Sequence, residues 1–485
     1  MAQPTLTLHP RQGDAYLSAA TELLFGGGAG GGKSHFERVA AIAWCIGIPG
    51  LQVYFFRRTN PDLQRNHMSG PGSFPMLLAP LVSSGEVRIV GEEPHIRFSN
   101  GSAIHLCHCQ YEKDLANYQG AEIHVLIIDE LTQWPKDMYT YLRGRMRLGG
   151  LQVPEAYQGM FPRAVLGTNP GGIGHNWVKM DFVDSDPLGT GKVREMPRRD
   201  GGMQRAFIRS LLEDNPTQLE NDPDYEYKLE GMGSAALVKA MRRGEWDIVA
   251  GGAVDDVWAP EVHILPPFDP PKGWHIDRAF DWGSAKPFSV GWWAESDGTD
   301  VEIAGRRRSF YPGTLFRIAE WYGWNGEPNK GCQMIDTEIG RGIAQRERDM
   351  GIRKRVKMGP ADSSIFDESN VDSTISRMSR GYGSELGMSS VDIFSKAPKG
   401  PGSRERRLEA LRSRLKAAMQ QPMEEPGLFV VDTCQHFIRT VPTIPRSRKN
   451  PNDVDTESED HAYDEAGYRM VSKRNEMKLV KLKGI

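Results

Sequence analysis

Across residues 1–250, short apolar runs alternate with stretches of helical periodicity. Runs at 21–25, 51–56, 125–128 and 164–166 read as strands, and several end at Gly, Asp or Asn. This alternation predicts an α/β parallel sheet whose ligands lie at the carboxyl ends of the strands. Gly and Pro then crowd residues 251–273, which reads as an interdomain linker. A second α/β unit is expected over 274–470. In it, 279–280, 289–294 and 301–304 suggest a β-meander, 339–350 a helix and 356–358 a further strand. Leu408, Leu411, Leu415 and Ala418 form one apolar stripe on a basic segment over 404–419, a helix. Residues 396–403 read as a loop and 471–485 as a basic tail. There is no internal repeat.

At 485 residues the chain exceeds the size at which one core keeps growing, which agrees with separate domains at 1–250 and 274–470. A net charge of −3 confines any nucleic-acid surface to local patches. Basic runs at 306–308, 353–355, 446–449 and 473–474 supply such patches, or else solvated faces. No apolar run reaches the roughly 18 residues a membrane helix needs, and the N-terminal residues hold no apolar signal core. Five cysteines, few and odd in number, suggest reduced thiols in a cytosolic protein.

The strand at 21–25 runs into GGGAGGGKSH. Gly27, Gly32, Lys33 and Ser34 fit G-x-x-x-x-G-K-[ST], with a helix expected over 34–45. The glycines let backbone amides curl around phosphates, Lys33 reaches the β- and γ-phosphates of ATP, and the Ser34 hydroxyl binds Mg²⁺. HVLIIDE ends the strand at 125–128 in Asp129, suited to the Mg²⁺ shell, and Glu130, suited to deprotonating the attacking water. Thr168 and Asn169, after the run at 164–166, sit where polar groups sense the γ-phosphate. Arg143, Arg145 and Arg147 offer either an arginine finger or a solvated basic helix end. Arg57 and Arg58 end another strand and are candidates for phosphate contact. His105, Cys107, His108 and Cys109 resemble no zinc spacing and read as strand residues.

In the second half, Asp281 and Asp362 each end a strand, and Asp460 and Asp464 lie four apart on one late helix. Acids from two strands and a helix converge on two Mg²⁺ or Mn²⁺ ions, the arrangement for in-line cleavage of a phosphodiester. The order of meander, strand Asp, strand Asp, helix Asp matches ribonuclease-H-like nucleases. The fold class expected is therefore a P-loop NTPase of the ASCE type followed by a ribonuclease-H-like domain.

FGGGAGGGKS, NYQGAEIHVLIIDELTQW, RGRMR, TNPGGIGHNWVK, AFDWG, GPADSSIFD and EDHAYDEAGYR together resemble the large terminase subunit of tailed bacteriophages, in order over roughly residues 10 to 470. The resemblance implies an ATP-driven motor that moves double-stranded DNA into a procapsid and an endonuclease that cuts concatemers. It implies a portal protein and a small terminase subunit as partners, and a homo-oligomeric ring, a pentamer, on the portal. The host cytoplasm is the implied location. By position, Lys33 and Ser34 match Walker A, Asp129 and Glu130 Walker B, Thr168 and Asn169 the coupling motif, and Asp281, Asp362 and Asp464 the nuclease acids. Gln12 resembles the family's adenine-contacting glutamine. Gln119 precedes Gly120 where some relatives carry an arginine, which leaves Arg143 and Arg145 as finger candidates. Lys286 sits where many relatives have an extra acid; Asp460 either replaces it or caps a helix. Competing readings are a DNA helicase or remodelling ATPase with an inactive ribonuclease-H-like domain, and a DNA-binding scaffold that uses nucleotide as a switch.

Overall fold

A computed structural model describes residues 6–92, 95–231, 238, 242–246, 252–367, 372–447 and 449–472. Most of the expected basic tail, with Lys473 and Arg474, lies outside the described residues. The chain divides into two compact units, Met1–Asp256 and Val257–Ile485. Among the described residues no helix is long and apolar enough to cross a membrane.

The first unit is built on a nine-stranded sheet. At its centre Gln52–Arg57, Val125–Asp129, Arg163–Thr168, Glu22–Gly27 and Gln204–Ser210 lie side by side, all parallel. Successive residues of these strands serve different cores. Leu23, Phe25, Val53, Phe55, Val125, Ile127 and Val165 join one apolar cluster; Leu24, Phe56, Leu126, Ile128 and Leu166 join another. Burial on both faces is why these strands read as continuous apolar runs instead of alternating ones. Glu22–Gly27 and Val125–Asp129 are separated by Arg163–Thr168 alone, so Gly27, Asp129 and Thr168 end at the same edge.

The second unit centres on an eight-stranded sheet. His275–Asp281, Ser289–Glu295 and Leu315–Tyr322 form an antiparallel meander, and Gly359–Ala361 pairs with the first of them in parallel. The expected third strand, 301–304, is instead Val301–Ile303, half of a separate hairpin with Arg306–Arg308. The true third strand carries Arg317 and Glu320 among its apolar residues, which hides it from a hydrophobic pattern. Part of the expected linker is ordered against this sheet: Ile264–Leu265 pairs in parallel with Leu428–Val431. Arg355 donates to the carbonyls of Pro270 and Pro271, and Arg353 to that of Glu385, so this basic run is committed to backbone.

The two faces of the second sheet are covered differently. Ile276, Arg278 and Phe280 face the helix Asp336–Asp349, where Arg278, Trp292 and Tyr382 all meet the buried Glu347. Asp277 and Asp281 face the helix His461–Val471. Arg469 bonds Asp277 at 2.6 Å, and Tyr468 donates to Asp281 Oδ1 at 3.3 Å. Glu465, fully buried, is held by Arg317 and by Trp293 Nε1. This packed polar layer fixes the helix that carries Asp464. Arg317→Met should leave Glu465 buried and unpaired, lowering stability by about 3–5 kcal/mol. Urea unfolding followed by tryptophan fluorescence checks this. Arg317→Met with Glu465→Leu should recover most of the loss.

Candidate functional site

The loop after Glu22–Gly27 is held by its carbonyls. Asn215 donates to Gly30 O (2.6 Å), Ser210 Oγ to Gly31 O (2.7 Å) and Gln12 Nε2 to Gly32 O (2.9 Å). With carbonyls pinned outward, the intervening amides are free to face an anion. Gly30 and Gly32 adopt φ of +78° and +77°, where a side chain would be strained. The helix Lys33–Gly47 follows at once. Gln12 is buried, and its Oε1 also accepts from His9 N at 2.8 Å. Both ends of its amide are therefore engaged, Nε2 on the loop and Oε1 on the backbone ahead of the first helix.

Lys33 Nζ lies 2.7 Å from Gly28 O and 2.5 Å from Asn169 Oδ1. Burial lowers its pKa, opposed by the charges of Glu130, Asp129 and Glu37. Asp129 is buried at the strand end. Its Oδ2 meets Arg57 Nε at 2.9 Å and His67 Nε2 at 2.8 Å. Burial pushes this carboxyl up, but the His67 bond and the Arg57 charge override it and hold the pKa below the usual value. Its Oδ1 has no hydrogen-bond partner among the described residues, as a ligand awaiting a cation would. Glu130 turns into the left-handed region, φ 60°. Burial, then the Asp129 charge, raises its pKa, so it is a better proton acceptor than a solvated glutamate.

Thr168 Oγ1 lies 2.9 Å from Thr132 Oγ1, two residues beyond Glu130, and Asn169 O accepts from Thr132 Oγ1 at 3.0 Å. Asn169 thus touches Lys33 by its side chain and the segment after Glu130 by its backbone. Two participants carry no local motif. His67 comes from a π-helical turn, Gln64–Met68, and its Nδ1 lies 3.0 Å from Arg38 Nη1. Glu37 is fully buried and both its oxygens lack hydrogen-bond partners among the described residues. Burial and the Asp129 charge push its pKa well up. The period of the helix after Lys33 was the available signal for Glu37; none existed for His67.

The arginine candidates separate. Arg143 Nη1 pairs with Glu22 Oε1 at 3.0 Å, where Arg205 (2.6 Å) and Tyr139 also bind. Glu22 opens its strand, so Arg143 lies at the end of the sheet opposite the P-loop, paired with a buried carboxylate. Arg145 stacks on Tyr141 at 4.5 Å and makes no ion pair among the described residues. Arg57 is taken by Asp129, and Arg58 lies over Trp134 and against Met138 Sδ. His105 bonds Gln52 and stacks on Tyr54, and Cys107 and Cys109 are buried thiols.

In the second unit, register pairs Phe280 with Ala361, and Asp362 N donates to Phe280 O at 2.9 Å. Asp281 and Asp362 therefore leave adjacent strand ends. Asp281, Asp362 and Asp464 line one cavity of about 470 Å³, together with Lys399, Arg404 and Arg407. Burial, then the charges of Asp464 and Asp362, pushes Asp281 well above the usual carboxylate range. His461 Nδ1 lies 3.2 Å from Asp281 Oδ2. Asp460 precedes the helix at its N-cap position but makes no side-chain cap bond. It is buried, and burial and Asp464 raise its pKa well up. Among the described residues no group of three or more His, Cys, Asp or Glu side chains is gathered closely enough to hold a metal ion. Asp464 instead bonds Arg407 at 2.7 Å. The donor chemistry suits a divalent cation, and the repulsion raising Asp281 is what such a cation would relieve.

A family model described as terminase large subunit, T4likevirus-type, N-terminal, matches residues 24–155. Over this span the chain is similar to the N-terminal part of large terminase subunits. The matched span holds the P-loop, Asp129, Glu130 and the arginines after them. Among solved structures, the large terminase of a thermophilic bacteriophage in complex with ADP is 14% identical, covering 96% of this chain and 98% of that one with a TM-score of 0.39. The HK97 bacteriophage large terminase is 10% identical, covering 96% and 95% with a TM-score of 0.38. The large terminase nuclease of thermophilic phage G20c with bound cobalt is 9% identical, covering 44% and 95% with a TM-score of 0.26. Likenesses this low bear on no residue of the present chain. No curated protein matches it.

Arg143→Ala should lower stability by about 1–3 kcal/mol, because buried Glu22 loses a charged partner. Arg145→Ala should leave the melting temperature unchanged. If Arg145 is the finger, ATP turnover falls about a thousandfold or more in that variant. Thermal melts and phosphate-release assays on both variants check this.

Proposed function

We propose that this chain is a phage large terminase subunit that hydrolyses ATP to drive double-stranded DNA into a procapsid and cuts that DNA with its second unit. The observation that carries the reading is the pairing, in one chain, of a terminase-matched P-loop site with a cavity lined by Asp281, Asp362 and Asp464.

At the ATPase site, the loop amides and Lys33 bind the phosphates of ATP. Lys33 exchanges its contacts with Gly28 O and Asn169 for phosphate oxygens, which frees the Asn169 side chain. Ser34 and Asp129 are the residues that would hold Mg²⁺, which supplies charge neutralisation between phosphates. Glu130 accepts the proton of the attacking water. Release of Asn169 is felt through Thr168 and Thr132 beyond Glu130, which connects phosphate occupancy to the segment that follows.

At the nuclease site, Asp281, Asp362 and Asp464 would hold divalent metal, Mg²⁺ or Mn²⁺, as a pair of ions, and Asp460 is secondary. Metal there supplies an activated water and charge stabilisation at phosphorus. His461 and Tyr468 orient Asp281 from two sides. Action on DNA implies a ring on a portal, pentameric by family resemblance, a small subunit that delivers DNA, and the host cytoplasm as the place of work.

Lys33→Ala should abolish ATP turnover while metal-dependent plasmid nicking persists, both read on one preparation. Glu130→Gln should retain ATP in filter binding and lose about 100- to 10,000-fold in turnover. Loss of ATP affinity in Glu130→Gln would overturn this division of roles. Asp281→Asn and Asp464→Asn should remain folded and lose Mn²⁺-dependent nicking, whereas Asp460→Asn should keep part of it. Full nicking in all three would remove the acids from the site.

A further inference from the structure

The basic wall of the nuclease cavity has a structure of its own. Arg407 lies on the helix Ser403–Ala418 and is buried, 4% exposed. Its Nη1 meets Asp464 Oδ1 at 2.7 Å, and its guanidinium stacks on the Tyr468 ring at 4.5 Å. Tyr468 in turn donates to Asp281 Oδ1. Arg404, one turn earlier, lies 3.8 Å from Asp464 Oδ2 and 3.9 Å from Asp460 Oδ2, and bonds Asp453 at 2.8 Å. The slot for Arg407 depends on Gly467: a Cβ there would stand 2.6 Å from Arg407 Cδ.

Arg407 Nε and Arg404 Nη2 are buried and have no hydrogen-bond partner among the described residues. The structural arginine Arg317 shares that feature, so position is what separates this arrangement from a closed ion pair. Both arginines line the cavity with Lys399 and with Gly402 and Ser403, where the helix begins without a side-chain cap. Spare guanidinium donors, an ammonium and the positive end of a helix dipole favour a tetrahedral oxyanion. The acids line the same cavity, with Asp464 in direct contact with Arg407.

We propose that Arg407, supported by Arg404, is an exchangeable cation of the nuclease centre: it neutralises Asp464 while the acids lack metal, and turns to a DNA phosphate once divalent metal takes that carboxylate. This rests on the nuclease reading above. The acid cluster then never stands without a counter-charge, and the same side chain that competes with metal assists the substrate. The two roles have opposite signs in an experiment.

The test is calorimetric titration of the full chain with Mn²⁺, without DNA, beside steady-state nicking of plasmid at saturating Mn²⁺. Arg407→Ala should bind Mn²⁺ about tenfold tighter, the effect of removing one buried charge-assisted contact. The same variant should nick DNA about tenfold or more slowly, with the loss in KM as well as kcat. Arg407→Lys keeps the charge without the planar fork; it should bind Mn²⁺ near the wild-type level and recover part of the nicking. Melting temperatures establish that each variant is folded, and Arg404→Ala, on a less buried side chain, should show the same signs more weakly. Mn²⁺ affinity unchanged or weakened in both alanine variants would overturn the exchange, as would wild-type nicking by Arg407→Ala. If wild-type protein binds no Mn²⁺, or Asp281→Asn leaves binding untouched, the nuclease reading itself fails.

Discussion

The ammonium of Lys33 lies among three carboxylates, those of Glu37, Asp129 and Glu130, in a place that water scarcely reaches. Each acid alone would be costly there, and each raises the cost of the others. Lys33, Arg57 and Arg38 make the group tolerable, and the glycine loop sets Lys33 at the right height above the strand ends. The sheet order follows from the same need. The strand Arg163–Thr168 lies between the P-loop strand and the strand of Asp129, and Gly167 leaves room for Glu37, whose Oε1 stands 1.8 Å from where a Cβ would be. The second unit meets an analogous constraint with arginines: Asp281, Asp460 and Asp464 are balanced by Arg404 and Arg407 from a separate helix.

What the sequence discloses of this design depends on how local the physics is. The P-loop is legible because its glycines and Lys-Ser are contiguous and each answers a local demand of backbone or phosphate. Asp129, Glu130, Asp281 and Asp362 are legible because they end apolar runs, and strand ends are where such sheets present chemistry. His67 is not, since it reaches Asp129 across 62 positions from a turn with no pattern of its own. Arg407 hides for a related reason. The leucine stripe of its helix was readable, but a buried arginine beside that stripe looks in sequence like any other basic residue of a solvated face.

The misplaced third strand of the meander has the same origin. Val301–Ile303 carries an apolar alternation, but Ala304 and Gly305 turn it back at positive φ into a two-residue-linked hairpin. Leu315–Tyr322, the strand that joins the sheet, buries Arg317 and Glu320 for the sake of Glu465 and the helix behind it. Arg143 likewise pairs with Glu22, 121 positions earlier, a contact no local pattern announces. In the meander, a buried ion pair, which depends on distant residues, defeats a reading made from neighbours.

The π-turn Gln64–Met68 delivers His67 to Asp129 through one hydrogen bond, with Arg38 bracing the opposite ring nitrogen. A π-turn is wound more loosely than the α-helix it continues and is a rare, local departure from it. A displacement of residues 59–68 would therefore bear on the His67 bond, which joins this turn to the end of a central strand. Asp129 would then keep Arg57 as its remaining partner at this oxygen while the sheet stayed intact.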